Sequence, residues 1–215
     1  MIRGILWDLD GTLLDTLEDL KDGVNYALSQ FACPERTLPE IRRFLGNGAG
    51  LLIRRALPGL PGDPDPEAVL DVFRTYYNAH CRVKTAPYPG ILAAMEELRN
   101  QGLAMAVVSN KPDSAVKPLC RDFFGEIQAV GEIPGCPRKP APDMVLRAAK
   151  ELGLAPEECL YVGDSEVDVA TAKNAGMICL TVLWGFRDRE ELEQAGATHF
   201  CETPAELVRC IDELR

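Results

Sequence analysis

Asp8 and Asp10 stand two residues apart at the end of the apolar run Ile5-Leu6-Trp7, and Gly11 and Thr12 follow at once. Residues i and i+2 of an extended backbone point the same way, so both carboxylates would emerge together where a buried strand ends. Two acids placed like this repel each other unless a cation or a shared proton compensates. Taken alone, the pair reads more simply as a strand running into a solvated acidic turn, because Asp-Gly favours turns. It becomes a chemical site if the rest of the chain supplies a phosphate site and a further metal carboxylate.

Three later stretches supply candidates. Ser109-Asn110 ends the run Leu103-Ala-Met-Ala-Val-Val, and Lys111 leads on toward a helix. A hydroxyl and backbone N–H groups at a helix start suit phosphate oxygens, the alternative being plain helix capping. Lys139 lies in Arg138-Lys139-Pro140-Ala-Pro142, where the prolines restrict the backbone and would aim the lysine inward. Its ammonium would offset the charge of Asp8 and of a transferring phosphoryl group; the alternative is a solvated loop lysine. Gly163-Asp164 closes the run Leu160-Tyr-Val, and Asp168 would face the same side from the first turn of a helix. Hard oxygen ligands at that edge favour Mg²⁺, although the helix dipole also draws acids to this position.

The elements that must position these groups are legible as patterns. Leu17, Leu20, Val24, Leu28 and Phe31 recur at helical spacing, with Thr16 as the expected cap. Further helices are predicted over 38–45, 49–57 and 66–79, with the Pro/Gly-rich stretch 58–66 as a loop. No strand pattern occurs between about 15 and 85, so this block reads as a helical insert, and 85–90 as a re-entry linker. From there helices are expected over 90–100, 112–123, 142–152, 166–175, 188–195 and 204–214. Strands are expected over 103–109, 127–131, 159–163, 177–183 and 198–201. Strands alternating with helices imply a parallel, three-layered α/β sheet, and such sheets bind ligands outside the carboxyl ends of their strands. Every candidate group named above falls at that edge or just beyond it.

Composition narrows the function. The chain has 215 residues, 47% of them hydrophobic and 26% charged, which suits one substantial core or a core with a smaller insert. A net charge of −10 argues against nucleic-acid or anionic-membrane partners, which need basic patches. No run is long enough to span a membrane, and no basic segment leads into a signal-type apolar region, so a cytoplasmic location is expected. The 8 cysteines are scattered without a CxxC pair, which suits reduced thiols. With only His80 and His199, a histidine-based active site is not expected.

Asp8-Leu-Asp10-Gly-Thr12, Ser109, Lys139 and Gly163-Asp164…Asp168 together resemble the four ordered motifs of the haloacid-dehalogenase-like superfamily. The insert is similar to that superfamily's helical cap. The resemblance implies a Rossmann-like three-layer α/β/α core with a parallel sheet at 1–14 and 82–215, plus a small all-α cap at 15–81. Within the superfamily, Gly46-Asn-Gly-Ala49 with Arg55-Ala-Leu57 is similar to phosphoglycolate phosphatases. So is Leu183-Trp-Gly-Phe-Arg187 leading to Ala195-Gly-Ala-Thr198. Related caps serve pyrophosphate, sugar phosphates and nucleotides.

The activity implied is Mg²⁺-dependent hydrolysis of a small phosphorylated metabolite, by a monomer or homodimer, through an aspartyl-phosphate. Asp8 would attack phosphorus, and Asp10 would protonate the leaving group and later deprotonate water. Asp8, the Asp10 carbonyl and Asp164 would hold the metal with Asp168 in support. Thr12, Ser109, Asn110 and Lys139 would bind phosphoryl oxygens or balance charge. Gly46, Asn47 and Gly48 would present N–H groups to a second anionic group of the substrate, with Arg54 and Arg55 adding charge; a flexible turn is the alternative. A metal-free dehalogenase would lack the second aspartate and the acidic fourth motif. A phosphosugar mutase would keep every core residue, and a receiver-like module would not need the insert.

Overall fold

The computed structural model describes residues 1–59 and 62–215; Leu60 and Pro61, part of the loop expected over 58–66, lie outside the described residues. The chain forms two compact units, Met1–Leu14 with Pro87–Arg215, and Asp15–Ala86. The first is α/β and the second all-helical.

The α/β unit starts with β1 (Gly4–Trp7), whose four residues are buried, as expected of a strand covered on both faces. After the helical unit, α5 (Ile91–Asn100) leads to β4 (Ala104–Pro112), α6 (Asp113–Phe124) and β5 (Gln128–Glu132). Then come α7 (Asp143–Glu151), β6 (Cys159–Gly163), α8 (Glu166–Ala175), β7 (Ile178–Val182), α9 (Arg189–Gln194), β8 (His199–Cys201) and α10 (Leu207–Asp212). The six strands form one parallel sheet in the order β5-β4-β1-β6-β7-β8. The chain thus leaves β1 in one direction through β4 and β5 and returns to its other side with β6. This reversal of strand order creates a crevice at the carboxyl ends of β1, β4 and β6. Leu6, Ala106, Val108 and Tyr161 from those three strands share a core with Met144, Val145 and Ala148 of α7.

Three expectations need correction. Strand β4 runs through Ser109, Asn110 and Lys111 to Pro112, with its register against β5 broken between Val108 and Pro112. The expected strand stops at 109, where polar residues begin, but Ser109, Asn110 and Lys111 are buried and continue it. The helix expected over 204–214 is a 3₁₀ turn, Pro204–Glu206, followed by α10. Thr16 stands at the first helix's N-cap, yet its side chain makes no cap bond; Asp15 Oδ1 accepts from Leu17 N instead, at 3.3 Å.

The helical unit comprises α1 (Leu17–Ser29), α2 (Leu38–Phe44), α3 (Ala49–Ala56) and α4 (Pro66–His80). Gly23 lets α1 approach α4, since a Cβ there would lie 3.1 Å from Phe73 and 3.3 Å from Tyr77. Two-residue strands β2 (Leu14–Asp15) and β3 (Ala86–Pro87) lie at the points where the units divide. The helical unit extends to Ala86, and Asp19 of α1 ties the residues before that point to it. Its buried carboxylate accepts from the backbone N–H of Val83, Lys84 and Thr85 at 3.1, 3.0 and 2.9 Å, and from the Thr85 hydroxyl at 2.8 Å. Replacing Asp19 with Ala strands these donors and should destabilise the helical unit by about 1.5–3 kcal/mol. Urea unfolding followed by circular dichroism would measure it; an unchanged transition would contradict the assignment.

Candidate active site

The end of β1 is fixed before any chemistry is considered. Asp8 N donates to Val162 O of β6 at 2.8 Å, and the N–H groups of Leu13 and Leu14 both return to Leu9 O. This tight turn carries Asp10, Gly11 and Thr12 past the sheet edge, with Gly11 at φ +90°, a conformation that suits glycine.

Three of the expected residues, Lys139, Asp8 and Asp168, meet at one ammonium, and Tyr161 joins them. Lys139 Nζ donates to Asp8 Oδ1 at 2.6 Å, Asp168 Oδ1 at 2.9 Å and the Tyr161 hydroxyl at 2.9 Å. Burial disfavours the charged lysine, but the charges of Asp168 and Asp8 outweigh it and hold its pKa well above the ordinary value. The loop bearing Lys139 is anchored by two asparagines. Asn110 accepts from Lys139 N at 2.8 Å and donates to Lys139 O at 3.0 Å, and Asn174 donates to Pro140 O at 2.8 Å. The observed contacts of the Asn110 carboxamide therefore hold Lys139 in place. Ser109 Oγ accepts from Lys111 N at 3.2 Å, which leaves its O–H free to donate.

Asp168 answers two expectations at once. Its Oδ2 accepts from Ser165 N and Ser165 Oγ at 3.1 and 2.6 Å, capping α8, while its Oδ1 faces Lys139 and Tyr161. Asp164 accepts from neutral donors, the Thr12 hydroxyl at 3.1 Å and Phe186 N at 2.7 Å. Burial, and then the nearby charge of Asp168, push its pKa up to about 7. Asp8 is likewise raised well above the carboxylate range, by burial first and by Asp168 second, against the pull of Lys139.

Asp8, Asp164 and Asp168 each offer a carboxylate oxygen, all within 4.8 Å of one another. Of these three buried acids Asp8 and Asp168 contact the Lys139 ammonium and Asp164 is met by neutral donors, so the three carboxylates have one directly contacting cation among them. This donor set fits a divalent cation of the Mg²⁺ type.

Several residues at this edge were not assigned a role from sequence. Lys111 is buried, and its Nζ lies 3.1 Å from Asp10 Oδ1 as a charge pair rather than an aligned hydrogen bond. Its spacing from Ser109 along β4 was the available signal. Tyr161 was hidden inside an apolar run, although a hydroxyl in a buried strand needs a partner. Arg187 pairs with Glu166 at 2.7 Å.

Gly46, Asn47 and Gly48 lie in the helical unit between α2 and α3, with Gly48 at the N-cap of α3. Arg54 pairs with Glu67 at 3.2 Å and Arg55 donates to Phe44 O at 2.9 Å, so both are engaged within that unit.

The family model for haloacid dehalogenase-like hydrolases matches residues 2–176. The chain belongs to that family. It is 34% identical over 221 residues to phosphoglycolate phosphatase 1 of Pseudomonas aeruginosa, covering 98% of this chain and 80% of that one. Among solved structures it is similar to a protein of Lactobacillus delbrueckii subsp. bulgaricus proposed to be a phosphoglycolate phosphatase. That match has a TM-score of 0.91 and 37% identity, over 97% of this chain and 98% of the other. It is also similar to CbbY of Rhodobacter sphaeroides in complex with phosphate, at TM-score 0.82 and 29% identity, over 99% and 100% of the two chains. The α/β core and helical cap of this family correspond to the two units described. Among the described residues, no helix is long and apolar enough to cross a membrane.

The Asp164 shift has a definite sign. Its carboxyl releases its proton near 3.8 when unfolded and near 7 when folded and metal-free. Its contribution to stability is full below the lower value and lost as pH rises through the upper one. Asp164→Asn should therefore flatten the fall in unfolding midpoint across that range in chelated protein. Parallel pH profiles of the two proteins would contradict this.

Proposed function

We propose that this family member is a Mg²⁺-dependent phosphomonoester hydrolase that works through an aspartyl-phosphate on Asp8, with 2-phosphoglycolate as its substrate. The observation that carries the chemistry is Lys139 held against Asp8 beside Asp164 and Asp168. The substrate rests on the names of the relatives. Asp8, the Asp10 carbonyl and Asp164 would hold the cation, with Asp168 behind them, and a bound cation would neutralise phosphoryl charge as the two anions approach.

In the first step an Asp8 oxygen forms a bond to phosphorus and the ester P–O bond breaks. The leaving alkoxide takes its proton from Asp10. In the second, Asp10 takes a proton from water, the water oxygen attacks phosphorus, and the Asp8–phosphorus bond breaks to release phosphate. Ser109 Oγ donates to a phosphoryl oxygen, and Lys139 keeps Asp8 oriented while offsetting the charge that gathers around it. Thr12 supports the same loop.

Asp8→Asn should lower kcat by more than about a thousandfold, because an amide is a poor nucleophile. Chelation should abolish phosphate release, Mg²⁺ should restore it, and Ca²⁺ should not, because its looser coordination would let it take both Asp8 oxygens and leave none to attack. Phosphate release in excess chelator, or by a verified Asp8→Asn protein, would refute this mechanism.

The reading extends to Gly46-Asn47-Gly48 as the group that recognises the substrate carboxylate, the Asn47 side-chain amide donating to it beside the N–H groups at the start of α3. Asn47→Ala should then reduce kcat/KM for 2-phosphoglycolate by about 1.5–3 kcal/mol, and that for an aryl phosphate much less. Equal losses would assign the loop to folding of the helical unit instead.

A further inference from the structure

The segment Leu183–Arg187 follows β7 and takes no part in the chemistry proposed above, yet it closes on two of the groups that do. The Trp184 indole N–H donates to the Thr12 carbonyl at 2.9 Å. The Phe186 backbone N–H donates to Asp164 Oδ2 at 2.7 Å. Between them, Gly185 runs so close that a Cβ there would stand 2.3 Å from Asp164 Cβ and 2.4 Å from its Oδ2. A Cβ at Gly11 would also stand 2.4 Å from the same oxygen. Thr12 closes the circuit by donating its hydroxyl to Asp164 Oδ1 at 3.1 Å.

Asp164 is therefore closely approached by two glycine backbones, with one donor on each oxygen, and the turn after Asp8 is tied to the same segment through Thr12. We propose that Trp184-Gly185-Phe186 is a strap of positioning residues. Gly185 and the Phe186 N–H set the carboxylate of Asp164 toward the divalent cation, and Trp184 sets the turn that carries Asp10 and Thr12. The inference rests on the metal site proposed above. A side chain at Gly185 cannot be absorbed by a flexible tip, because the atoms it meets include Asp164 Cβ, so the carboxylate itself must move. Groups that orient metal ligands typically govern metal affinity by about 10–100-fold.

The test is Mn²⁺ binding to chelator-stripped full-length protein, with free ion read by electron paramagnetic resonance and the unfolding midpoint measured alongside. Mn²⁺ favours the same oxygen donors as Mg²⁺. Gly185→Ala should weaken Mn²⁺ binding at least about tenfold in folded protein. Trp184→Phe, which keeps the ring and loses the N–H that fixes the turn bearing Asp10 and Thr12, should weaken Mn²⁺ binding less than Gly185→Ala does while lowering kcat about tenfold or more with little change in KM. A merely structural role would lower the unfolding midpoint of either variant without this division. Wild-type Mn²⁺ affinity in folded Gly185→Ala, or wild-type kcat in Trp184→Phe, would overturn the strap. If Gly185→Ala does not fold, Trp184→Phe alone decides. Wild-type protein that binds no Mn²⁺ would instead overturn the metal reading and the strap together.

Discussion

Lys139 Nζ lies between Asp8 Oδ1 and Asp168 Oδ1, and all three groups are almost wholly removed from water. Each charge would cost several kcal/mol if buried alone, so the cluster is tolerable only as a set. The ammonium has three N–H groups and meets three acceptors, the third being the neutral Tyr161 hydroxyl. That match is particular to lysine. An arginine fork is planar and could not point at acceptors arranged around a single nitrogen. Even so, Asp8 and Asp164 keep raised pKa values, first because both are buried and second because the charge of Asp168 lies nearby.

The sheet order delivers these partners to one place. Asp8 ends β1, the centre of the switch point, while Ser109 and Asn110 come from the neighbouring β4 and Asp164 from the end of β6 on the other side. Lys139 belongs to no strand. It reaches the site from the loop between β5 and α7 because Asn110 and Asn174 hold that loop's backbone. The break in register of β4 has the same logic: it leaves Ser109 Oγ to receive Lys111 N and turns the residues after Val108 away from regular pairing.

What could be read from the sequence, and what could not, follows from the range of the interactions. Asp164 with Asp168 was legible because the start of a helix fixes which side neighbouring residues face, whereas Asp10 lies on the turn beyond β1 and pairs with Lys111 rather than joining the cluster of Asp8, Asp164 and Asp168. The alternating β and α patterns gave the parallel sheet, and the helical block over the insert stood out by its lack of strand pattern. The partners of Tyr161, Lys111 and Trp184 lie far along the chain, so no local period marks them. Thr16 failed as a cap for a related reason: the rule names a residue type, and Asp15 beside it supplied a carboxylate to Leu17 N instead. Asp19 holds residues 83–85 across most of the helical unit's length, another contact that no local period marks.

Glycine explains how carboxylates so crowded stay in place. A Cβ at Gly11 or Gly185 would run into Asp164, and one at Gly163 would stand 2.3 Å from Asp168 Cβ. Backbone can therefore approach these side chains more closely than any substituted residue permits. Close approach brings amide donors within reach, as with Phe186 N on Asp164 and Ser165 N on Asp168. Such donors favour the charged carboxylate without adding a full positive charge, whereas another lysine would satisfy the cluster outright. The site is thus left short of positive charge while its geometry is fixed, which is the condition under which a divalent cation and a phosphoryl group can be bound together.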